Sequence, residues 1–238
     1  MNRPKEDIIA GMTPAECRME REGAGMDRTA AKCAIFDVDG TLYFQRPVRK
    51  GMALRLAGYF LTHPWRWKEL LGIYYFRKLR ETEAGRTAAL EEQIRGAARR
   101  AGVKQEERLK RAIQRWMFEE PLSLIRRHAN EPLLRLLREM RAAGTRVIIY
   151  SDYAPEQKLE ALGVSADAVY YPGRGGIEEL KPSRRAMETI LKTERVNPEH
   201  CVFFGDRPER DGKSAALAGI RFLHVGSDGT WREETEIG

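Results

Sequence analysis

Two aspartates two residues apart are the strongest chemical signal in this sequence. The apolar run Cys33-Ala-Ile-Phe36 is followed by Asp37-Val-Asp39-Gly40-Thr41, which predicts a buried strand with both carboxylates at its carboxyl end. Ligands bind at that end of the strands in open α/β sheets. Two carboxylates held this close repel each other unless a cation or a shared proton joins them. A hard divalent cation such as Mg²⁺ suits this pair, because it binds a few carboxylates together with substrate phosphate oxygens.

Three later elements also carry polar residues at their boundaries. Ser151 follows the apolar run 147–150, and Asp206 follows the apolar run 201–205. Lys181 directly precedes a proline at a predicted helix start, a position that favours both proline and phosphate. The side chains at these boundaries supply a hydroxyl, an ammonium and two further carboxylates: Ser151, Lys181, Asp206 and Asp211.

Taken in order, these motifs resemble those of the haloacid dehalogenase (HAD) superfamily. The pattern of that family is an apolar strand with Asp-x-Asp-Gly-Thr, a strand ending in Ser or Thr, a Lys, and a strand ending in Gly-Asp-x-x-x-x-Asp. All four motifs occur here, from Asp37 to Asp211. Each motif alone also suits an ordinary turn or helix start, but the order of the four favours a catalytic site.

The resemblance implies phosphoryl transfer that depends on Mg²⁺. Asp37 would be the nucleophile that forms an aspartyl-phosphate, and Asp39 would be the general acid and base. Ser151 would hydrogen-bond the phosphoryl group, and Lys181 would neutralise its charge. The implied metal ligands are the carboxylates of Asp37 and Asp206 and the backbone carbonyl of Asp39, with Asp211 binding the metal directly or supporting a ligand.

An acid at position 39 also distinguishes branches of the family. Members that displace halide from carbon have no alkoxide to protonate and lack an acid at this position. The presence of Asp39 therefore favours a phosphohydrolase that acts on a small phosphorylated metabolite. Two alternatives stay open: a phosphomutase that uses the same intermediate, and a non-catalytic or peripheral-membrane protein that retains the motifs.

The spacing of the motifs predicts the domain organisation. More than a hundred residues separate Asp39 from Ser151, whereas one crossover helix needs only about a dozen. Helical apolar patterns fill this gap, so we expect an all-helical domain over 47–128 between core segments 30–46 and 129–238. It resembles the C1-type cap that the family inserts after its first motif. The core segments predict an α/β fold with a doubly wound, parallel, Rossmann-like sheet whose strands are 34–36, 147–150, 168–170, 201–205 and 220–224.

Aromatic residues and cations are concentrated in residues 59–80. One interpretation is a cap core and domain interface, because helical spacing predicts a buried face formed by Trp67, Leu70, Leu71, Tyr74 and Tyr75. A second interpretation is a basic, aromatic surface in contact with a membrane. We also expect Trp65 and Arg66 to contact the leaving group of the substrate.

Composition bounds the class of protein. The net charge is +7 over 238 residues, but acids alternate with bases along the helices, so we expect no specific nucleic-acid partner. The three cysteines, Cys17, Cys33 and Cys201, have no paired or zinc-binding spacing, which predicts a reduced, cytoplasmic protein. Prolines and glycines among charges predict a disordered segment over 1–29. No pattern indicates an oligomeric state.

Overall fold

The computed structural model describes residues 31–82 and 90–234. The segment expected to be disordered, 1–29, lies outside the described residues. Six strands form one sheet: β1 Cys33–Phe36, β2 Arg146–Tyr150, β3 Ala168–Tyr170, β4 Cys201–Gly205, β5 Arg221–Val225 and β6 Trp231–Glu233. Their spatial order is β3-β2-β1-β4-β5-β6, and the first five are parallel. The predicted parallel sheet is confirmed, with the strand that precedes Asp37 at its centre.

Both faces of β1 are buried, as in a doubly wound sheet. Core helices α6 Glu131–Ala142, α7 Glu156–Leu162, α8 Arg184–Glu194 and α9 Lys213–Leu217 follow the cap in sequence. Side chains alternate along a strand, so Ala34 and Phe36 pack in one cluster with α6 and α7. Cys33 and Ile35 pack in the other cluster with α8 and α9.

The described residues between β1 and β2 are mainly helical. They form α1 Gln45–Thr62, α2 Trp67–Thr82, α3 Leu90–Ala101, α4 Glu106–Ile113 and α5 Leu122–Arg127, with a 3₁₀ turn at Pro64–Arg66 and a π-helical segment at Gln114–Glu119. We call α1–α5 and these two segments the cap. Its helical character agrees with expectation, while the domain boundaries after 46 and after 128 stay a prediction. In the described ranges, no helix has both the length and the apolar character needed to cross a bilayer.

The predicted helix over the aromatic run exists, but its predicted buried face is largely wrong, since only Leu71 and Tyr75 of that face are half-buried. Trp67 and Tyr74 are each 55% exposed. The opposite face of α2 is buried instead, through Ile73, Phe76 and Leu79. Gly72 explains the choice, because a Cβ atom there would lie 2.5 Å from Cδ1 of Leu109 on α4. The glycine lets α4 approach this face closely, and the bulky aromatic side chains remain outside.

Among the strands of the described residues, β6 is the one that was not predicted from the sequence. It is antiparallel to β5 and follows a turn with Gly229 at a φ of 85°. The N–H of Gly226 donates to the carbonyl of Thr230 across that turn. An Asp-Gly pair before a short segment of apolar and polar residues is a recognised hairpin signal. The pair Asp228-Gly229 therefore predicts this strand.

Candidate active site

The predicted site residues meet at the carboxyl ends of three adjacent strands. Asp37 follows β1, Ser151 follows β2 and Asp206 follows β4. Asp37 and Ser151 are buried. The turn after Asp37 needs Gly40, whose φ is 98° and whose Cβ, if present, would lie 2.0 Å from Oδ2 of Asp206. The glycine therefore permits both the turn and the close approach of Asp206.

Lys181 joins the first and last motifs. Its Nζ atom lies 2.5 Å from Oδ1 of Asp37 and 2.6 Å from Oδ1 of Asp211. Burial favours the neutral amine, but the carboxylates of Asp211 and Asp37 outweigh it and raise the pKa of Lys181 above its ordinary value. The backbone N–H of Lys181 donates to Oδ1 of Asp152 at 2.8 Å. The lysine is thus a fixed cation beside the predicted nucleophile.

Three carboxylates form a compact acidic cluster. Asp37, Asp206 and Asp211 each offer an oxygen, and these oxygens lie within 4.8 Å of one another. Burial is the main cause that raises the pKa of Asp37 to about 7, with Lys181 opposing it and Asp211 adding to it. Burial, followed by the charges of Asp37 and Asp211, raises the pKa of Asp206 to about 8. The cluster therefore favours a cation or bound protons.

The donor set of this cluster fits Mg²⁺. Oδ1 of Asp206 is buried and accepts no hydrogen bond from the described residues, so a cation would satisfy it. Hard cations prefer such oxygen ligands. The carboxylate of Asp39 is not in the cluster, and the role of its backbone carbonyl as a ligand stays a prediction.

The carboxylate of Asp39 is held by a phenol and an ammonium. Oδ1 of Asp39 accepts from Oη of Tyr43 at 2.6 Å and from Nζ of Lys158 at 2.5 Å. Burial would raise the pKa of Asp39, but the charge of Lys158 and the two hydrogen bonds exceed that effect and lower it. The ammonium and the phenol therefore stabilise the ionised form of Asp39. Lys158 lies on α7, and no motif in the sequence marked it.

Two hydroxyl side chains complete the predicted first and second motifs. Oγ1 of Thr41 donates to Oδ2 of Asp37 at 3.1 Å, so this residue orients the predicted nucleophile in addition to supporting the turn. Oγ of Ser151 accepts the backbone N–H of Tyr153 at 3.2 Å. That bond leaves the hydroxyl proton of Ser151 available to a ligand.

Buried arginines tie the cap to the core around Asp152. Nη1 of Arg210 lies 3.0 Å from Oδ2 of Asp152, and its Nη2 donates to the carbonyl of Glu81 at 2.9 Å. Arg80 of the cap donates to the backbone carbonyl of Asp152. Its guanidinium carbon lies 4.4 Å from the ring centre of Tyr153, on which it stacks. The sequence reading missed both arginines, because a cation on a helix usually indicates a solvated face.

A cavity of about 300 Å³ lies between the cap and these strand ends. Asp37, Asp39 and Lys158 are among its lining residues. Its wall from the cap is largely apolar and includes Met52, Leu56, Ile73, Trp116, Met117 and Phe118, with Arg49 and Arg77 as cations. The expectation that Trp65 and Arg66 contact the leaving group is wrong. Trp65 is 69% exposed and Arg66 pairs with Glu69 at 2.9 Å, and neither residue lines the cavity.

The motifs, the sheet and the helical cap define a HAD-type fold. The sequence model of the haloacid dehalogenase-like hydrolases matches residues 31–219. The chain therefore belongs to the haloacid dehalogenase-like hydrolase family. No curated protein matches the chain at the level of sequence.

Solved structures with this fold have several activities. The chain is similar to a 2-haloacid dehalogenase from Pseudomonas syringae pv. Tomato DC3000, with 18% identity, a TM-score of 0.56 and coverage of 82% of this chain and 86% of that chain. It is similar to a β-phosphoglucomutase from Clostridium difficile, with 17% identity, a TM-score of 0.53 and coverage of 82% and 85%. It is also similar to a predicted phosphoglycolate phosphatase from Haemophilus somnus 129pt, with 16% identity, a TM-score of 0.53 and coverage of 90% and 91%. Because these proteins share one fold and differ in chemistry, the likeness shows the fold, and the reaction must be argued from the site.

Proposed function

We propose that this chain is a Mg²⁺-dependent phosphohydrolase that acts on a small phosphorylated metabolite through an aspartyl-phosphate on Asp37. The observation that carries the proposal is the carboxylate of Asp39, held at the cavity by Tyr43 and Lys158. A reaction that expels halide needs no proton for its leaving group, whereas a reaction that expels an alkoxide does. An acid that is built into the site in this way supports phosphate-ester cleavage.

The first chemical step uses Asp37 as a nucleophile. One of its oxygens bonds to phosphorus while the bond between phosphorus and the ester oxygen breaks. Lys181 and Thr41 each hold one oxygen of Asp37, which limits its rotation and favours in-line attack. When bound to Asp37, Asp206 and Asp211, Mg²⁺ would neutralise charge on the phosphate oxygens.

Asp39 serves both steps in turn. It donates a proton to the leaving oxygen in the first step, and it removes a proton from the water that attacks the phosphorus of the aspartyl-phosphate in the second. The bond between phosphorus and Asp37 then breaks and releases phosphate. The lowered pKa of Asp39 suits the second step. An arriving phosphate dianion would raise that pKa, because like charges disfavour ionisation, and would so prepare Asp39 for the first step.

The cavity supports a substrate whose leaving group is partly apolar. Side chains such as Met52, Ile73 and Trp116 face the space above Asp37, and apolar walls favour carbon-rich groups. Arg49 and Arg77 would bind a second polar or anionic group of the same substrate. The proposal also locates the enzyme in the cytoplasm, a compartment in which its buried free thiols stay reduced.

Release of phosphate from p-nitrophenyl phosphate tests the proposed reaction. We expect turnover that requires Mg²⁺ and that falls by about 10³-fold or more in Asp37→Asn, since the variant lacks the attacking charge. Trapping with beryllium fluoride and Mg²⁺ is expected to modify Asp37. Release of chloride from a 2-chloro acid without phosphatase activity would overturn the proposal. Isomerisation of a sugar phosphate without phosphate release would replace it with a phosphomutase.

A further inference from the structure

We propose that helices α1 and α2 and the turn between them bind the surface of an anionic lipid bilayer. This inference concerns a surface outside the cavity and does not depend on the proposed reaction. It rests on three properties of this part of the cap: the exposure of its large apolar side chains, their arrangement on the two helices, and the charge around them.

Large apolar side chains are exposed mainly in one short stretch of the cap. Among the described residues, eight such side chains are exposed, and six of them lie between positions 54 and 74. We call these six the apolar corner: Leu54, Leu61, Trp65, Trp67, Leu70 and Tyr74. Leu61 is 81% exposed and Trp65 is 69% exposed. Scattered single apolar residues need no explanation, but a concentration of this kind marks an interaction surface.

The apolar corner lies on the outer faces of both helices. On α1, Leu54 and Leu61 are seven residues apart, which places them on one face. Val48, Met52 and Phe60 are the buried residues of that helix. On α2, Trp67, Leu70 and Tyr74 form one stripe opposite the buried Ile73 and Phe76. Trp65 stands in the turn between the helices, so the apolar corner includes residues of both helices and of that turn.

The two helices that carry the apolar corner have an excess of positive charge. Residues 45–82 contain nine lysines and arginines and only two glutamates. Six of these cations are exposed: Arg46, Arg49, Lys50, Lys68, Arg77 and Lys78. One of the glutamates, Glu69, is buried and pairs with Arg66 and Arg108. Within the part of the chain that the structure describes, no carboxylate forms an ion pair with Lys68 or Lys78. Basic residues beside exposed tryptophans are typical of helices that lie in the headgroup region of anionic membranes.

The charge favours a bilayer over a second copy of this chain. A symmetric dimer through the apolar corner would bring the same patch of each copy together. The exposed cations of this stretch in one copy would then lie close to the same cations of the other, which is unfavourable without intervening anions. Anionic headgroups supply the opposite charge, and their acyl boundary accepts tryptophan and leucine side chains.

Sedimentation of the full chain with lipid vesicles tests this proposal. We expect binding to vesicles of phosphatidylglycerol and phosphatidylcholine, little binding to pure phosphatidylcholine, and weakening with added salt. Each lysine near an anionic surface contributes about fivefold to partitioning, so Lys68→Glu/Lys78→Glu is expected to reduce it by about 25-fold or more. The matched control is Lys192→Glu/Lys213→Glu, which reverses two exposed charges on α8 and α9.

A second pair of variants tests the apolar contribution. Trp65→Ser/Trp67→Ser is expected to weaken vesicle binding, whereas Leu90→Ser/Leu217→Ser, which removes the two exposed leucines outside the apolar corner, is expected to leave it unchanged. Melting temperatures report whether each variant is folded. Absence of vesicle binding, or equal binding by the Trp65→Ser/Trp67→Ser variant, would overturn the proposal. A dimer in solution that dissociates in the Trp65→Ser/Trp67→Ser variant would also overturn it, because the apolar corner would then bind a second copy of this chain.

Discussion

Nζ of Lys158 lies 2.5 Å from Oδ1 of Asp39, and the phenol of Tyr43 donates to the same oxygen. The lysine comes from α7 of the core, far along the chain from the first motif. The side chains of Lys158 and Asp39 are only 8% and 20% exposed. Their ion pair is therefore stronger than a pair on the surface. In the proposed reaction, Lys158 is a positioning residue that sets the proton affinity of Asp39.

Replacing Lys158 is expected to shift the pH dependence of turnover. In Lys158→Met, burial is no longer offset by the ammonium, so the pKa of Asp39 rises. With p-nitrophenyl phosphate the leaving group needs no proton, and the acidic limb of kcat then reports the base that activates water. We expect that limb to move to higher pH. Lys192→Met, on the exposed face of α8, is the control. An unchanged pH profile of kcat in Lys158→Met would show that Lys158 does not set the pKa of Asp39.

Metal-free stability is expected to fall as the pH rises. The folded-state pKa values of Asp37 and Asp206, about 7 and about 8, exceed their ordinary value of 3.8. These groups therefore contribute stability that is fully present below the unfolded pKa and is lost as the pH rises through the folded values. In EDTA, the melting temperature is expected to decrease between about pH 5 and pH 8.

Mg²⁺ is expected to reverse that loss. Because the cation replaces protons on the cluster, its stabilising effect should be larger at pH 8.5 than at pH 5.5, as measured by thermal melts with and without Mg²⁺. Asp206→Asn removes one of the two titrating carboxylates, so its melting temperature in EDTA should depend less on pH. A Mg²⁺ effect that is equal at both pH values would contradict a metal site at these carboxylates.

Gly40→Ala is expected to damage the metal site more than the fold. The new Cβ would lie 2.0 Å from Oδ2 of Asp206, at a φ of 98°, so both backbone strain and displacement of a ligand follow. The concentration of Mg²⁺ needed for half-maximal activity should rise by about tenfold or more, since a site with few anionic ligands loses one. Gly144→Ala is a matched control, because Gly144 has a φ of 86° with nothing within 4 Å. If both variants keep the wild-type Mg²⁺ requirement, Gly40 does not position Asp206.

The sequence was sufficient for the parts of the site that lie on strand ends. Asp37, Ser151 and Asp206 each follow a continuous apolar run, and adjacent parallel strands bring such ends together. Lys158 and Arg210 were not predictable, because their partners lie in distant segments and the residues next to each of them alternate in charge. The fold alone brings these cations to Asp39 and Asp152.

The buried face of α2 could not be predicted for a different reason. This helix is apolar on two sides, and spacing alone favoured the side with the larger residues, which includes Trp67. The structure buries the side of Gly72 and Ile73, because a glycine allows close packing against Leu109. A tertiary contact decided between two faces that have the same periodicity. The consequence is the exposed stripe on which the proposed lipid contact rests.

Removal of Arg80 is expected to loosen the contact between cap and core. Arg80 is 5% exposed, donates to the side chain of Gln93 and to the backbone carbonyl of Asp152, and stacks on Tyr153. Arg80→Met keeps most of the volume but removes the donor to the backbone carbonyl of Asp152, which costs about 1–3 kcal/mol of unfolding free energy. Urea unfolding measures this loss of stability, and amide hydrogen exchange in α2 shows whether the loss is located in the cap.

Arg138→Met is the control for Arg80→Met. Arg138 lies on α6, and its side chain is 51% exposed in a 3.8 Å pair with Glu131, so its removal should change stability by less than about 0.5 kcal/mol. If the cap is held by Arg80, amide exchange in α2 should accelerate in Arg80→Met while exchange in β1 and β4 changes less. Equal acceleration in cap and core would mean that Arg80 supports the whole fold and does not act as a specific link between cap and core.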